Sequence, residues 1–213
     1  MQNKLFEHIS ANKPKLIYIS GRTCSGKTTL SREIENLDYK KIELDKIVER
    51  AVMHAFNVTS SSEAFLAAYR GQGPEAHTTA FITEARKVIH LECLSGSRLV
   101  TEGAIAKDWI FKEVFSDYLD DLLFVYLLPR NIEVYAKRIE ARFVDGAATG
   151  TTGLPRDFWA LVSQKDVDHF IRSGELGKLK DNFLDFAVHA AKESQERLTH
   201  LQESFPDIYV VEF

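Results

Sequence analysis

A glycine-bounded segment between a short apolar run and a helical pattern constrains this chain most. Residues 21–28 read Gly-Arg-Thr-Cys-Ser-Gly-Lys-Thr and fit the phosphate-loop pattern Gly-x-x-x-x-Gly-Lys-[Ser/Thr]. Residues 16–19 before the loop are apolar, as in a buried strand, and residues 29–34 after it have a helical pattern. A strand, a glycine loop and a helix start in this order place backbone N–H groups at the positive end of a helix dipole. The segment therefore predicts binding of the phosphates of a nucleoside triphosphate.

The positions of this loop have distinct expected roles. Lys27 should reach the β- and γ-phosphates, and the hydroxyl of Thr28 should hold Mg²⁺. The glycines allow the backbone to curl so that successive N–H groups point inward. Further predicted nucleotide contacts are Gly21, Thr23, Cys24, Ser25, Gly26 and Thr29.

Length and composition bound the class of protein. A chain of 213 residues is expected to form one domain, residues 1–213. Its net charge of −4 argues against a nucleic-acid partner. No secretory signal and no apolar run of the ~18 residues that span a membrane are found, so no membrane partner is expected. Cys24 and Cys93 lie far apart without a metal-ligand spacing, which favours a reduced, cytoplasmic setting.

Apolar runs alternate with helical stretches along the chain. The predicted strands are 16–20, 41–44, 99–101, 122–128 and 208–211. The predicted helices are 27–35, 46–56, 64–69, 75–94, 131–143 and 181–203. This alternation is typical of an α/β fold, here a three-layer αβα sandwich around a parallel sheet. The last helix could pack on the sheet or support a homodimer, and its periodicity leaves both possibilities open.

Two carboxylates are expected near the ends of strands, where open parallel sheets bind their ligands. Asp45 is predicted to end the second strand, where it could accept a proton from an acceptor hydroxyl or bind Mg²⁺ through water. The alternative is that Asp45 only caps the following helix. Glu102 is predicted to end the third strand, as a metal ligand or as an ordinary solvated side chain.

Two arginines on a predicted helix could bind the transferred phosphate. Arg138 and Arg142 are four residues apart, so they project from the same helix face. Like charges on one face repel unless an anion lies between them, and phosphoryl transfer needs such cations. The alternative is a solvated face partly neutralised by neighbouring glutamates. Because residues 145–155 are rich in glycine and threonine, residues 137–157 are predicted to form a mobile lid.

These motifs together resemble the small-molecule kinases that carry a phosphate loop, and most of all the uridine/cytidine kinase family. Residues 19–29 resemble that family's Ser-Gly-x-x-x-Ser-Gly-Lys loop, and Asp45 stands where the family has its catalytic aspartate. Glu102 with the following glycine resembles its metal-binding pair, and Arg138 with Arg142 resembles its basic lid helix. The resemblance implies a five-stranded parallel sheet in the order 2-3-1-4-5, ATP as the donor, Mg²⁺, and transfer to a sugar hydroxyl.

The acceptor side of the sequence departs from that family. Lys-Ile-Val follows Asp45 where the family has a Ser-Phe-Tyr type run, and residues 57–78 lack its His-Pro-rich hairpin. A nucleoside is the first expectation for the acceptor. The alternatives are a nucleoside monophosphate, dephospho-coenzyme A, a sugar acid or an antibiotic. A nucleotide-dependent switch is disfavoured, because no Asn-Lys-x-Asp guanine motif or Asp-x-x-Gly switch stands in a suitable place.

Overall fold

The computed structural model describes residues 2–55, 73–103, 108–149, 154 and 156–213. Within these residues the strands are β1 (Leu16–Gly21), β2 (Tyr39–Glu43), β3 (Arg98–Glu102), β4 (Leu122–Leu128) and β5 (Tyr209–Glu212). They form a parallel sheet in the order β2-β3-β1-β4-β5 with helices around it. The predicted α/β fold and the strand order implied by the resemblance are therefore confirmed.

The helices are α1 (Gln2–Asn12), α2 (Lys27–Glu35), α3 (Leu44–Ala55), α4 (Gly73–Leu94), α5 (Asp108–Phe115), α6 (Ile132–Thr149), α7 (Arg156–Leu161), α8 (Gln164–Ser173) and α9 (Leu179–Ser204). A 3-10 helix spans Ser116–Asp121. The sequence pattern located α2 at its observed bounds and missed α1, α5, α7 and α8. The predicted helix 64–69 lies outside the described residues. None of the described helices is long and apolar enough to cross a membrane.

Helix α6 is longer than its pattern predicted. The expected loop from residue 145 to 155 is wrong in its first part, because the helix continues through Thr149. Ala147 and Ala148 are strong helix formers, and Gly146 between them and the preceding turns is buried. Residues 150–153 and 155 of the expected loop lie outside the described residues.

The chain divides into two compact units, and the first comprises Met1–Ser20, Lys27–Val125 and Asp207–Tyr209. In this unit β3 pairs in parallel with β2 and with β1, and Glu102 lies in register with Glu43 and Ile19. The carboxyl ends of these strands therefore meet at one edge. Neighbouring rings with centroids 4.7–5.4 Å apart form an aromatic part of its core, namely Tyr18, Phe111, Phe115 and Phe124.

The second unit comprises Gly21–Gly26, Tyr126–Pro206 and Val210–Phe213. Tyr135, Ile139 and Phe143 follow one another at a spacing of four on α6, which gives the helix one apolar stripe. This stripe is buried in a core with side chains of α7 and α9. The rings of Phe158 and Phe183 stack there with centroids 5.7 Å apart. Burial of each such side chain contributes roughly 1.5–3 kcal/mol, so this core fixes α6 on α9.

Candidate functional site

The phosphate loop begins at Gly21 with a backbone conformation that only glycine adopts easily. Its φ is +148°, and an added Cβ would lie 2.8 Å from Ser25 Oγ and 3.0 Å from the Leu127 carbonyl oxygen. The Ser25 amide donates to the Arg22 carbonyl (3.2 Å), and Cys24 has a left-handed φ of 63°. A tight turn with left-handed residues is the backbone conformation that forms anion-binding nests. The loop therefore has the curl that phosphate binding requires.

Side chains of helix α6 hold the phosphate loop by donating hydrogen bonds to two carbonyl oxygens of the loop. The Tyr135 hydroxyl donates to the Thr23 carbonyl (2.8 Å), and Arg138 Nη1 donates to the Ser25 carbonyl (3.1 Å). The Arg138 guanidinium also lies over the ring of Phe213, 4.5 Å from its centroid. Because both carbonyls bond to the helix, the orientation of the peptide groups between them is restrained. These partners could not be predicted from the sequence, because more than a hundred positions separate each pair.

The Ser25 side chain is a second feature of the loop that suits an anion. Its hydroxyl is buried and has no hydrogen-bond partner among the described residues. Buried hydroxyls in folded proteins are almost always paired, because an unpaired one loses its bonds to water. A phosphate oxygen in the loop would accept a bond from this hydroxyl, so the loop fits the nucleotide that its sequence predicts.

Two other arginines of this unit have different surroundings. Arg142 is exposed one helical turn beyond Arg138. Arg22, which sequence reasoning did not single out, makes an ion pair with Glu193 of α9 (2.5 Å). The contact of Arg138 and Arg142 with a transferred phosphate stays a prediction.

In the first unit the side chains of Thr28 and Glu102 meet, although 74 residues separate them in the chain. Thr28 Oγ1 donates to Glu102 Oε2 (3.0 Å), and Ser31 Oγ, one turn further along α2, donates to Oε1 (3.3 Å). Glu102 is 9% exposed. Hydroxyl and carboxylate oxygens are the ligands that Mg²⁺ prefers, so this pair fits the predicted metal.

Lys41 of β2 joins this pair, and sequence reasoning missed it. Its Nζ lies 2.7 Å from Glu102 Oε1 and 3.7 Å from Glu43 Oε1. The side chains of Lys41 and Glu102 are only 9% and 11% exposed. The available signal was a lysine inside a strand expected to be buried in a parallel sheet, where lysine is rare unless paired.

Asp45 lies in the first turn of α3, because β2 ends at Glu43 and the helix begins at Leu44. The prediction that Asp45 ends the strand is therefore wrong by two residues. The side chain of Asp45 is exposed, but it lies close to the backbone of Gly103. A Cβ added to Gly103 would lie only 3.3 Å from Asp45 Oδ1. The φ of +156° and this close approach explain the glycine at position 103.

The surroundings of the Asp45 carboxyl make it a stronger base than an ordinary aspartate. Neighbouring protein atoms displace water from the carboxylate and raise its pKa above the usual 3.8. The positive charge of Lys27 opposes this rise, and the negative charges of Glu102 and Glu43 add to it. A carboxyl with a raised pKa near a phosphate-loop lysine suits proton transfer.

Among the described residues, no group of three or more His, Cys, Asp or Glu side chains could hold a metal ion. A magnesium ion bound with a nucleotide does not need such a cage. It is usually held by one or two carboxylates together with phosphate oxygens and water.

No protein-family model and no curated protein matched the sequence. Several solved structures are similar to this chain in fold, and two of them are kinases from bacteria. A sugar kinase from a Janibacter species shares 13% identity with a TM-score of 0.41, over 59% of this chain and 65% of its own. The matched part is thus just under two thirds of that kinase. A dephospho-CoA kinase from Campylobacter jejuni shares 12% identity with a TM-score of 0.38, over 84% of this chain and 98% of its own. Likeness at this level assigns neither a family nor an activity to the chain.

Proposed function

We propose that this protein is an ATP- and Mg²⁺-dependent kinase that transfers the γ-phosphoryl group to a hydroxyl of a small metabolite, with a nucleoside as the first candidate. One observation carries the proposal. The hydroxyl oxygen of Thr28, the residue after the phosphate-loop lysine, lies 3.0 Å from Oε2 of Glu102 at the end of β3. A loop hydroxyl and a strand-end carboxylate are the protein oxygens that phosphate-loop enzymes offer to the metal of a nucleotide.

On the donor side, the residues of the loop would bind and stabilise the phosphates. Lys27 and the amides of residues 21–26 offset negative charge that develops during transfer. The unpaired hydroxyl of Ser25 adds a further donor. Mg²⁺, when held by Thr28 and Glu102, supplies further neutralisation of the β- and γ-phosphates.

On the acceptor side, Asp45 is proposed as the general base. It orients the acceptor hydroxyl and takes its proton as the new bond from oxygen to the γ-phosphorus forms. The bond from the γ-phosphorus to its bridging oxygen breaks, and that oxygen leaves on ADP. The raised pKa of Asp45 supports this role, since a stronger base removes a hydroxyl proton more readily.

The remaining parts of the proposal come from the sequence. Arg138 and Arg142 are proposed to stabilise the moving phosphoryl group. The lid of about residues 137–157 stays a proposal from the sequence, and only its part beyond α6 is proposed to move and exclude water, because Ile139 and Phe143 are buried in the core with α9. We also keep as proposals a single kinase domain over residues 1–213, a cytoplasmic setting, small-molecule rather than nucleic-acid or membrane partners, and a homodimer.

The test is ADP release measured with ATP, Mg²⁺ and a panel of hydroxylated metabolites. The panel contains nucleosides, nucleoside monophosphates, dephospho-coenzyme A, sugar acids and hydroxylated antibiotics. We expect slow turnover alone and an increase of about a hundredfold or more with one class. Lys27→Ala should abolish the increase, whereas Lys87→Ala, an exposed lysine paired with Glu84, should retain it. If no class accelerates ADP release, the kinase proposal is wrong.

A further inference from the structure

We propose that Lys41 is a positioning residue that occupies one oxygen of Glu102, so that the site binds a divalent cation together with the nucleotide and hardly without it. The identity of the metal site rests on the proposed function. Lys41 lies outside every motif of the sequence.

The two oxygens of the Glu102 carboxylate have different partners. Oε1 lies 2.7 Å from Lys41 Nζ and 3.3 Å from Ser31 Oγ. Oε2 accepts the 3.0 Å bond from Thr28 Oγ1, the hydroxyl predicted to hold the metal. Lys41 therefore takes the oxygen on one side of the carboxylate and leaves the other oxygen beside the Thr28 hydroxyl.

The register of the strands explains how Lys41 reaches this carboxylate. Lys41 lies opposite Val100, and Glu43 lies opposite Glu102. Since side chains two residues apart project from the same face of a strand, Lys41 and Glu102 are diagonal neighbours on one face. The flexible lysine stem extends along the sheet to Oε1, which fixes the carboxylate without blocking its other oxygen.

Burial makes this ion pair a strong competitor of a free cation. Both side chains are about nine-tenths buried, so water screens their attraction only weakly. A divalent cation at Oε2 would also be repelled by the nearby ammonium group. Without the negative charge of a nucleotide, Glu102 alone offers too little attraction to overcome that repulsion.

Basic side chains lie near the other carboxylates at this edge of the unit as well. Lys46 Nζ lies 2.7 Å from Glu43 Oε2, and the positive charge of Lys27 acts on the Asp45 carboxyl. The phosphates of a bound nucleotide would add negative charge here, and a cation would then be attracted to Thr28 and Oε2.

The test measures Mn²⁺ binding by electron paramagnetic resonance of free Mn²⁺, with no nucleotide present. In Lys41→Met the dissociation constant for Mn²⁺ should fall at least about tenfold, because a repelling charge is removed next to a carboxylate. Lys41→Arg should bind Mn²⁺ as the unchanged protein does. Lys40→Met is the matched control, since Lys40 is the neighbouring residue and forms an exposed pair with Glu92.

A purely structural role for Lys41 predicts the opposite result. In that case Lys41→Met would disorder Glu102 and leave Mn²⁺ binding unchanged or weaker, and this outcome overturns the inference. If Lys41→Met fails to fold, Lys41→Gln tests the same point, because it keeps a donor for Oε1 and removes the charge. Its Mn²⁺ binding should also become tighter, and unchanged or weaker binding would refute the inference.

The outcome separates this inference from the kinase proposal. If Lys41→Met tightens Mn²⁺ binding but no metabolite accelerates ADP release, the positioning role stands and the kinase proposal fails. If a metabolite is phosphorylated but Mn²⁺ binding without nucleotide stays unchanged in Lys41→Met, only the positioning role fails.

Discussion

The carboxylates of Glu102 and Asp45 belong to the same compact unit but have opposite surroundings. Glu102 ends a strand, is 9% exposed and has an ammonium and two hydroxyl groups as partners. Asp45 lies in the first turn of a helix, is accessible and has a raised pKa. A carboxylate held by fixed partners suits a cation, whereas an accessible carboxyl with a raised pKa suits proton exchange.

The difference follows from the elements that carry the two residues. Glu102 has Lys41 on the adjacent strand and Thr28 and Ser31 on α2, so its charge is compensated from two sides. Asp45 lies beyond the end of β2 and close to Gly103, where protein atoms remove water and Lys27 compensates only in part. Environment thus separates two acids that composition alone treats as equivalent.

The largest expected effect comes from Asp45→Asn. Loss of a general base typically costs 10²–10⁴-fold, so we expect kcat with the best acceptor to fall by about a thousandfold. ATP affinity, measured by calorimetry, should stay within about twofold, because Asp45 is assigned to the acceptor. Asp38→Asn, on an exposed turn with a φ of 67°, is the control and should behave as the unchanged protein. A large loss of ATP affinity, with kcat retained at saturating ATP, would contradict the assignment of Asp45 to the acceptor.

Glu102→Gln should affect metal use and stability rather than proton transfer. We expect the Mg²⁺ concentration for half-maximal rate to rise about 10–100-fold, since the amide is a poorer metal ligand. The free energy of unfolding should fall by about 3 kcal/mol, because the buried Lys41 loses its nearer counter-charge and keeps only Glu43 at 3.7 Å.

A double variant sharpens this second prediction. Lys41→Met combined with Glu102→Leu removes both buried charges, and urea unfolding should show most of the stability recovered. The Mg²⁺ requirement should remain as high as in Glu102→Gln. Recovery of normal Mg²⁺ use in the double variant would mean that Glu102 is not a metal ligand.

The smallest expected effect is on pH dependence, and it concerns Asp45. A raised pKa keeps the proton on this carboxyl to a higher pH, so kcat/KM should fall as pH decreases through a value above 3.8.

The free energy of unfolding should change with pH in the opposite direction to kcat/KM. In the pH range from 3.8 up to the raised pKa the folded state binds more protons than the unfolded state, so stability decreases as pH rises. Urea unfolding across this range should show that Asp45→Asn loses this part of the slope, and an unchanged slope would contradict the assignment.

Local patterns predicted several parts of this molecule well. The bounds of α2 and the position of the phosphate loop follow from residues next to one another in the chain, because the loop, the helix start and the preceding strand are local features. Glu102 at the end of β3 was found for the same reason. The end of β2 was placed too late, since Leu44 and Asp45 fit a strand end and a helix start equally well.

Structural features that depend on residues far away in the chain could not be predicted from local patterns. The glycines and threonines of residues 145–155 predicted a loop, yet α6 continues through Thr149. The hydrogen bond of Tyr135 to the loop joins residues 112 positions apart, and that of Arg138 joins residues 113 apart. Nothing in either side chain's own neighbourhood specifies such a partner.

By itself the sequence determined that the chain has a phosphate loop between a strand and a helix, within an alternating α/β pattern. Those properties depend on glycine conformation, apolar periodicity and helix starts, which short segments encode. Only the tertiary structure decided the partners of that loop and of the two carboxylates. The register of β2 with β3 placed Lys41 on Glu102, and the packing of α6 on α9 set Tyr135 and Arg138 against the loop carbonyls. Both depend on which strands and helices become neighbours, a choice made by burial of the whole core.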